Sequence, residues 1–213
     1  MGQSDSQLCI SALHVGQRYE NKGGNRQCRC GYGWGDRRFC NGLFEGIWIM
    51  EIPNYDIRYS ELSDLDSMNP WFSNPVSCDP FPFSFDEKEE ALKNWIGFAR
   101  FKASLTGVIQ DRPCAVGTLF LMPYRKVAHH CSFYLIVDPE HRRKGIGTSM
   151  VRNLLHLAKT RFRLESVHVE LYEPSPLLPI LQKLDFKILA IQEEYAYIDS
   201  TFRSRLLLEH HFI

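Results

Sequence analysis

The sequence predicts an α/β (α+β) fold: a mixed, mostly antiparallel sheet of six to seven strands with a central parallel pair, flanked by about four helices. Three observations predict it. Phe133 to Val137 is an unbroken apolar run, too short for a helix, and reads as a strand buried on both faces. A basic, glycine-containing turn follows, and then Val151, Leu154, Leu155 and Ala158 recur at helical spacing with Arg152, Asn153, His156 and Lys159 opposite. After that helix Val167, Val169 and Leu171 alternate with His168, Glu170 and Tyr172, a second strand. Two neighbouring strands joined through a helical crossover run parallel. The remaining strands fall into hairpin-like pairs.

In chain order, residues 1–49 differ from the rest. Gly23, Gly24, Gly31, Gly33, Gly35, Gly42 and Gly46 crowd them, and neither helical nor strand period persists. They read as disordered, or as an extension outside the domain such as translated upstream sequence, with the domain spanning 50–213. Cys28, Cys30 and Cys40, with His14 the one histidine nearby, make a poor zinc set. Tyr55 to Tyr59 reads as a first strand, and Leu62, Leu65 and Met68 as one face of a first helix. Four prolines break residues 69–82 into a loop. Trp71, Phe72, Phe81, Phe83 and Phe85 read as a cap on the core rather than as the wall of a substrate pocket.

Ser84 and Glu87 make a capping box, and Ala91, Leu92, Trp95, Ile96 and Ala99 form the apolar face of the helix behind it. Leu105 to Ile109 and Ala115 to Leu121 read as strands of a hairpin joined by Gln110-Asp111-Arg112-Pro113. Tyr124 to His130 reads as a solvated turn, its two adjacent histidines unsuited to a shared metal. Beyond the crossover, Ser175 would cap a short helix with Pro176 in its first position. Residues 188–198 and 205–212 finish the chain as two strands.

Composition sets bounds. A hydrophobic fraction of 44% with 23% charged residues fits a soluble globular domain. A formal net charge of zero argues against nucleic acid or an anionic membrane surface as partner. No apolar run is long enough to span a membrane, and the N-terminus lacks the basic and apolar regions of a secretory signal. It does fit the loose acylation pattern through Gly2 and Ser6. The seven cysteines are odd in number, and Cys78, Cys114 and Cys131 read as buried free thiols, which points to the cytoplasm.

The functional signal lies in the turn after Val137. Asp138-Pro139 stops the strand, and Arg142, Arg143 and Lys144 precede Gly145-Ile146-Gly147 at the start of the helix, with Thr148 and Ser149 next. The first N–H groups of a helix have no partners within it, and its dipole adds positive character there. Glycines let the backbone approach a phosphate, and arginine and lysine add full charge. A P-loop would need its lysine after the glycines, and a dinucleotide fingerprint a third glycine where Met150 stands.

Arg142-x-x-Gly145-x-Gly147, preceded by a strand ending Leu-x-Val-x-Pro, resembles the acetyl-CoA signature of the GNAT superfamily of N-acetyltransferases. The resemblance implies that the parallel strands splay apart around the acyl chain. It implies that Arg142, Arg143, Lys144, Gly145, Ile146, Gly147 and Thr148 bind the coenzyme A pyrophosphate, and that Leu135, Ile136 and Val137 line the pantetheine arm. The implied activity is acetyl transfer from acetyl-CoA, by direct attack in a ternary complex, to a primary amine of a small molecule, peptide or protein. No metal is implied, and the protein would be a monomer or homodimer.

The chemistry needs a neutral amine, a polarised carbonyl and a proton for the leaving thiolate. The family often places an acidic tyrosine in the short late helix and an asparagine ahead of it. Those positions here hold Leu181 and Pro174. Tyr172 at the strand end is a replacement acid, with Ser175, Tyr134 and Tyr195 as further candidates. Glu170 is a candidate base, ahead of Glu193 and Glu194. A non-catalytic module that binds acyl-CoA is the alternative function.

Overall fold

The computed structural model describes residues 52–198 and 200–212. The expectations for residues 1–49, including Cys28, Cys30, Cys40 and the Gly2 pattern, lie outside the described residues. Seven strands form one sheet in the order β1-β2-β3-β4-β5-β7-β6. They are β1 (Tyr55–Tyr59), β2 (Ser104–Ile109), β3 (Arg112–Leu121), β4 (His130–Val137), β5 (Ser166–Tyr172), β6 (Lys187–Ile198) and β7 (Thr201–His211). Every pairing is antiparallel except β4 with β5. The helices are α1 (Asp64–Met68), α2 (Lys88–Gly97), α3 (Ile146–Thr160) and α4 (Leu178–Lys183).

The parallel pair is the feature that matters for function. Its register runs only from His130↔Ser166 to Ser132↔His168. Beyond Ser132 the two strands separate. Phe133 to Val137 keep β3 on their other side, and Val169 to Tyr172 keep β7. The backbone groups of β4 that face β5 past Ser132 are therefore free of the ladder.

Strand alternation divides β4 between two cores. Phe133 packs on the α3 side with Ile146, Met150, Val151, Leu154, Leu157 and Ala158, and Leu135 and Val137 lie against that core. Ile136 and Tyr134 turn the other way, toward Met68, Trp71, Phe72, Phe81, Leu92, Trp95 and Ile96. The proline-rich residues 69–82 are thus short 3-10 turns that place aromatics in a second core, with Phe72 fully buried and meeting Trp95 at a 6.3 Å ring separation. The capping box forms as expected: Glu87 accepts from the Ser84 N–H at 2.9 Å.

A buried polar chain ties α1 to the sheet. Arg58 of β1 holds both oxygens of Asp64 at 2.8 and 2.6 Å. Asp64 also accepts from the Glu61 N–H and the Thr106 hydroxyl, and Ser60, Ser104 and Thr118 continue the chain across β2 and β3. Burial disfavours the Asp64 carboxylate, but the bonds from Arg58, Glu61 and Thr106 outweigh it and hold the pKa below its ordinary value.

Several boundaries move from those the sequence predicts. Gln110 and Asp111 alone make the β2–β3 turn, both at positive φ (51° and 63°), so Arg112 and Pro113 already belong to β3. His130 begins β4 rather than closing a turn, because it pairs with Ser166. β7 starts at Thr201, paired with Ile198, well before Arg205. Leu62 is exposed, since α1 begins only at Asp64. The last helix starts at Leu178 with Pro179 in its first turn, so Pro176 stands ahead of it, and the Ser175 hydroxyl accepts from the Leu177 N–H at 3.3 Å. Among the described residues, no helix is long and apolar enough to cross a membrane.

Candidate active site

β4 ends at Val137, and Asp138 turns the chain: its carboxylate accepts from the Glu140 N–H at 3.1 Å and meets the His141 ring at 2.9 Å. Arg142 then reaches back, its Nε donating to the Val137 carbonyl at 3.2 Å. Gly145 sits at φ 84°, a conformation other residues rarely adopt, and delivers the chain into α3. The first helical bond at this end runs from the Ser149 N–H to the Gly145 carbonyl at 3.1 Å. The N–H groups of Ile146, Gly147 and Thr148 precede it and belong to the unpaired first turn. Arg142, Arg143 and Lys144 are exposed around them. Such a turn can receive a phosphate.

Two predicted members of this site have a second role. The Ile146 side chain is buried in the main core, so only its backbone faces outward. A Cβ on Gly147 would stand 3.3 Å from Ile180 Cδ1, so the missing side chain lets α4 pack onto the start of α3. On β4, Leu135 and Val137 are half-buried beside the main core, whereas the Ile136 side chain is buried in the second core. The Ile136 backbone is held to β3 as well, because the Asp138 N–H bonds the Cys114 carbonyl at 2.9 Å and every second residue of β4 faces that way; the backbone groups turned toward the gap are those of Phe133, Leu135 and Val137.

Glu170 and Tyr172, two apart on β5, share a face and touch. The Tyr172 hydroxyl donates to Glu170 Oε1 at 2.6 Å. Burial, and then this bond to a carboxylate, push the Tyr172 pKa well up, so the hydroxyl keeps its proton at neutral pH. The second Glu170 oxygen meets Arg205 Nη1 at 3.1 Å. Tyr134 lies close enough for the Glu170 charge to act on it after burial, and its pKa is pushed up to about 12.

Tyr172 and Arg142 line one cavity of about 300 Å³ at the end of the splayed strands. Val76, Asp79 and Pro80 form one wall, from the turns ahead of α2, and Ile198 and Arg203 another, from the tip of β6 and β7. The aromatics Trp71, Phe72, Phe81, Phe83 and Phe85 thus pack in the second core, as expected, and it is Val76, Asp79 and Pro80 between them that wall the cavity.

The remaining candidates divide. Tyr195 joins the cluster, its ring 6.3 Å from that of Tyr172. Ser175 spends its hydroxyl on the turn before α4. Glu193 and Glu194 are exposed on the edge strand. Leu181 is fully buried in the main core. Arg205, Arg203 and Asp79 were not among the sequence candidates. They come to the site through cross-strand register and loop packing, which leave no local pattern in the sequence.

Among solved structures, an acetyltransferase of the GNAT family from Streptococcus pneumoniae is similar at 17% identity and TM-score 0.64, covering 74% of this chain and 99% of that one. The structure of yncA from Salmonella typhimurium with its cofactor acetyl-CoA is similar at 11% identity and TM-score 0.63, covering 74% and 94%. A ribosomal-protein-alanine N-acetyltransferase from Brucella melitensis is similar at 12% identity and TM-score 0.60, covering 73% and 99%. Identities this low speak for the fold alone. No curated protein matches the chain. The family model described as acetyltransferase (GNAT) family matches residues 68–176, just over half of the sequence and the stretch that runs from the second core through the splay to the cavity. On that match the chain belongs to the GNAT family and is an acetyltransferase.

Proposed function

We propose that the protein transfers an acetyl group from acetyl-CoA to a primary amine by direct attack in a ternary complex, with Glu170 and Tyr172 receiving the amine proton. The observation that carries the proton path is the 2.6 Å bond to Glu170 from the hydroxyl of Tyr172, which lines the cavity together with Arg142. Because Tyr172 donates its own proton to Glu170, its oxygen lone pairs are left to accept one from an N–H in the cavity. A proton leaving the amine nitrogen would pass to the Tyr172 oxygen as the Tyr172 proton passes to Glu170. The pair can return it toward the departing sulfur by the reverse route.

The residues around the gap fit acetyl-CoA, which supplies the activated thioester when bound. Arg142, Arg143, Lys144 and the turn from Gly145 to Thr148 would hold its pyrophosphate. The Leu135 backbone and the Val137 N–H, which face the gap, would bond the pantetheine arm, with Ile136 between them held to β3, and an N–H there can polarise the thioester carbonyl. We place the domain boundary at residue 50, ahead of β1. The buried free thiols of Cys78, Cys114 and Cys131 accord with a reducing cytoplasm. The acceptor is a primary amine of a small molecule, peptide or protein.

Replacing Glu170 tests the reading. Glu170→Gln is expected to lower kcat by about 10²–10⁴-fold, the usual worth of a general base, with acetyl-CoA affinity by calorimetry unchanged. Wild-type turnover in that variant would remove Glu170 from the mechanism.

A further inference from the structure

Arg205 is the one guanidinium among the described residues that pairs with Glu170, and its surroundings are more elaborate than an ion pair requires. Register places it directly opposite Tyr172 on β7. Its Nη1 meets Glu170 Oε2 at 3.1 Å and donates to the Tyr195 hydroxyl at 2.6 Å. Its Nε donates to Gln192 Oε1 at 2.8 Å, and its guanidinium lies 3.9 Å from the centre of the Tyr195 ring. Gln192 and Tyr195 both belong to β6, where the register with β7 shifts between Gln192 and Ala196 and Glu194 takes φ 52°. A bulge of this kind re-aims the side chains it carries. Here it brings the Tyr195 ring over Arg205.

We propose that Arg205 is a positioning residue for acetyl transfer, held by the β6 bulge and holding Glu170 so that the other carboxylate oxygen faces Tyr172. The proposal rests on the reading of Glu170 as proton acceptor given above. A carboxylate has two oxygens and can swing. With one oxygen fixed by Arg205, the other is presented to the Tyr172 hydroxyl and cannot turn away toward solvent. The planar guanidinium suits this task, since it stacks flat on a ring while donating in its own plane, a geometry that the tetrahedral lysine ammonium lacks. Arg205 touches neither substrate in this scheme. It acts through Glu170 alone.

A double-mutant cycle on coenzyme A release, using acetyl-CoA and the primary amine that releases it fastest, tests this. Arg205→Gln is expected to lower kcat by about 10–100-fold with the KM for acetyl-CoA within about two-fold of wild type, as for loss of an interaction that matters in the transition state. Arg205→Lys should retain more kcat than Arg205→Gln. Adding Arg205→Gln to Glu170→Gln should change nothing further, because the residue through which Arg205 acts is already gone. Should Arg205→Gln fail to fold, judged by its melting transition, Tyr195→Leu takes its place in the same cycle. Multiplying effects in the double variant, or wild-type kcat in Arg205→Gln, would overturn the proposal while leaving Glu170 in place. Wild-type kcat in Glu170→Gln would overturn both readings together.

Discussion

Leu181 shows how one side chain separates this protein from the family pattern. Its position is where the family often carries an acidic tyrosine, and here it is fully buried in the main core with Phe186 and Leu206. A tyrosine placed there would add a ring and a hydroxyl to a filled site. Leu181→Tyr is therefore expected to lose about 1–3 kcal/mol of stability in a urea titration and to gain no turnover. An increase in kcat at unchanged stability would show that the α4 position can still reach the reacting atoms. The candidates Glu170 and Tyr172 were legible in the sequence because they stand two apart on a strand and must share a face. Their partner Arg205 was not legible. Only the pairing of β5 with β7 sets it opposite Tyr172, and nothing in the residues around Arg205 marks that register.

At the scale of elements, the start of α3 was readable because glycine, charge and helical period all bear on the same few residues. The reach of β4 and β7 was not, since both extend beyond their apolar runs through backbone pairing that polar residues can also make. The polar chain joining β1, α1, β2 and β3 was equally hidden, for its members are scattered singly through the sequence. It has a consequence for stability. With the Asp64 pKa held below its ordinary value, the stabilisation is fully present above the unfolded carboxylate pKa of about 4 and is lost as pH falls through the lower folded value. Asp64→Asn should cost roughly 1–3 kcal/mol at neutral pH and should flatten the decline of stability below about pH 4. Acid unfolding curves of wild type and variant that run parallel would contradict this.

At the scale of the whole sheet, a core lies on each face of the seven strands, and among the described residues the central parallel pair is the one that opens. The order strand, turn, helix, strand foretold that pair. The cavity at its end could not be foretold, because Val76 and Asp79 come from the turns ahead of α2 and Ile198 and Arg203 from the β6–β7 hairpin, which meet only in the folded chain. In the acetyl transfer proposed above, this opening is where an amine would meet acetyl-CoA beside Glu170 and Tyr172. The direct measurement is release of free coenzyme A, followed with a thiol reagent, from acetyl-CoA mixed with the protein and a panel of primary amines. Release is expected to depend on the presence of at least one amine and to be lost in Glu170→Gln. Tight acetyl-CoA binding with no amine-dependent release from any member of the panel would contradict it.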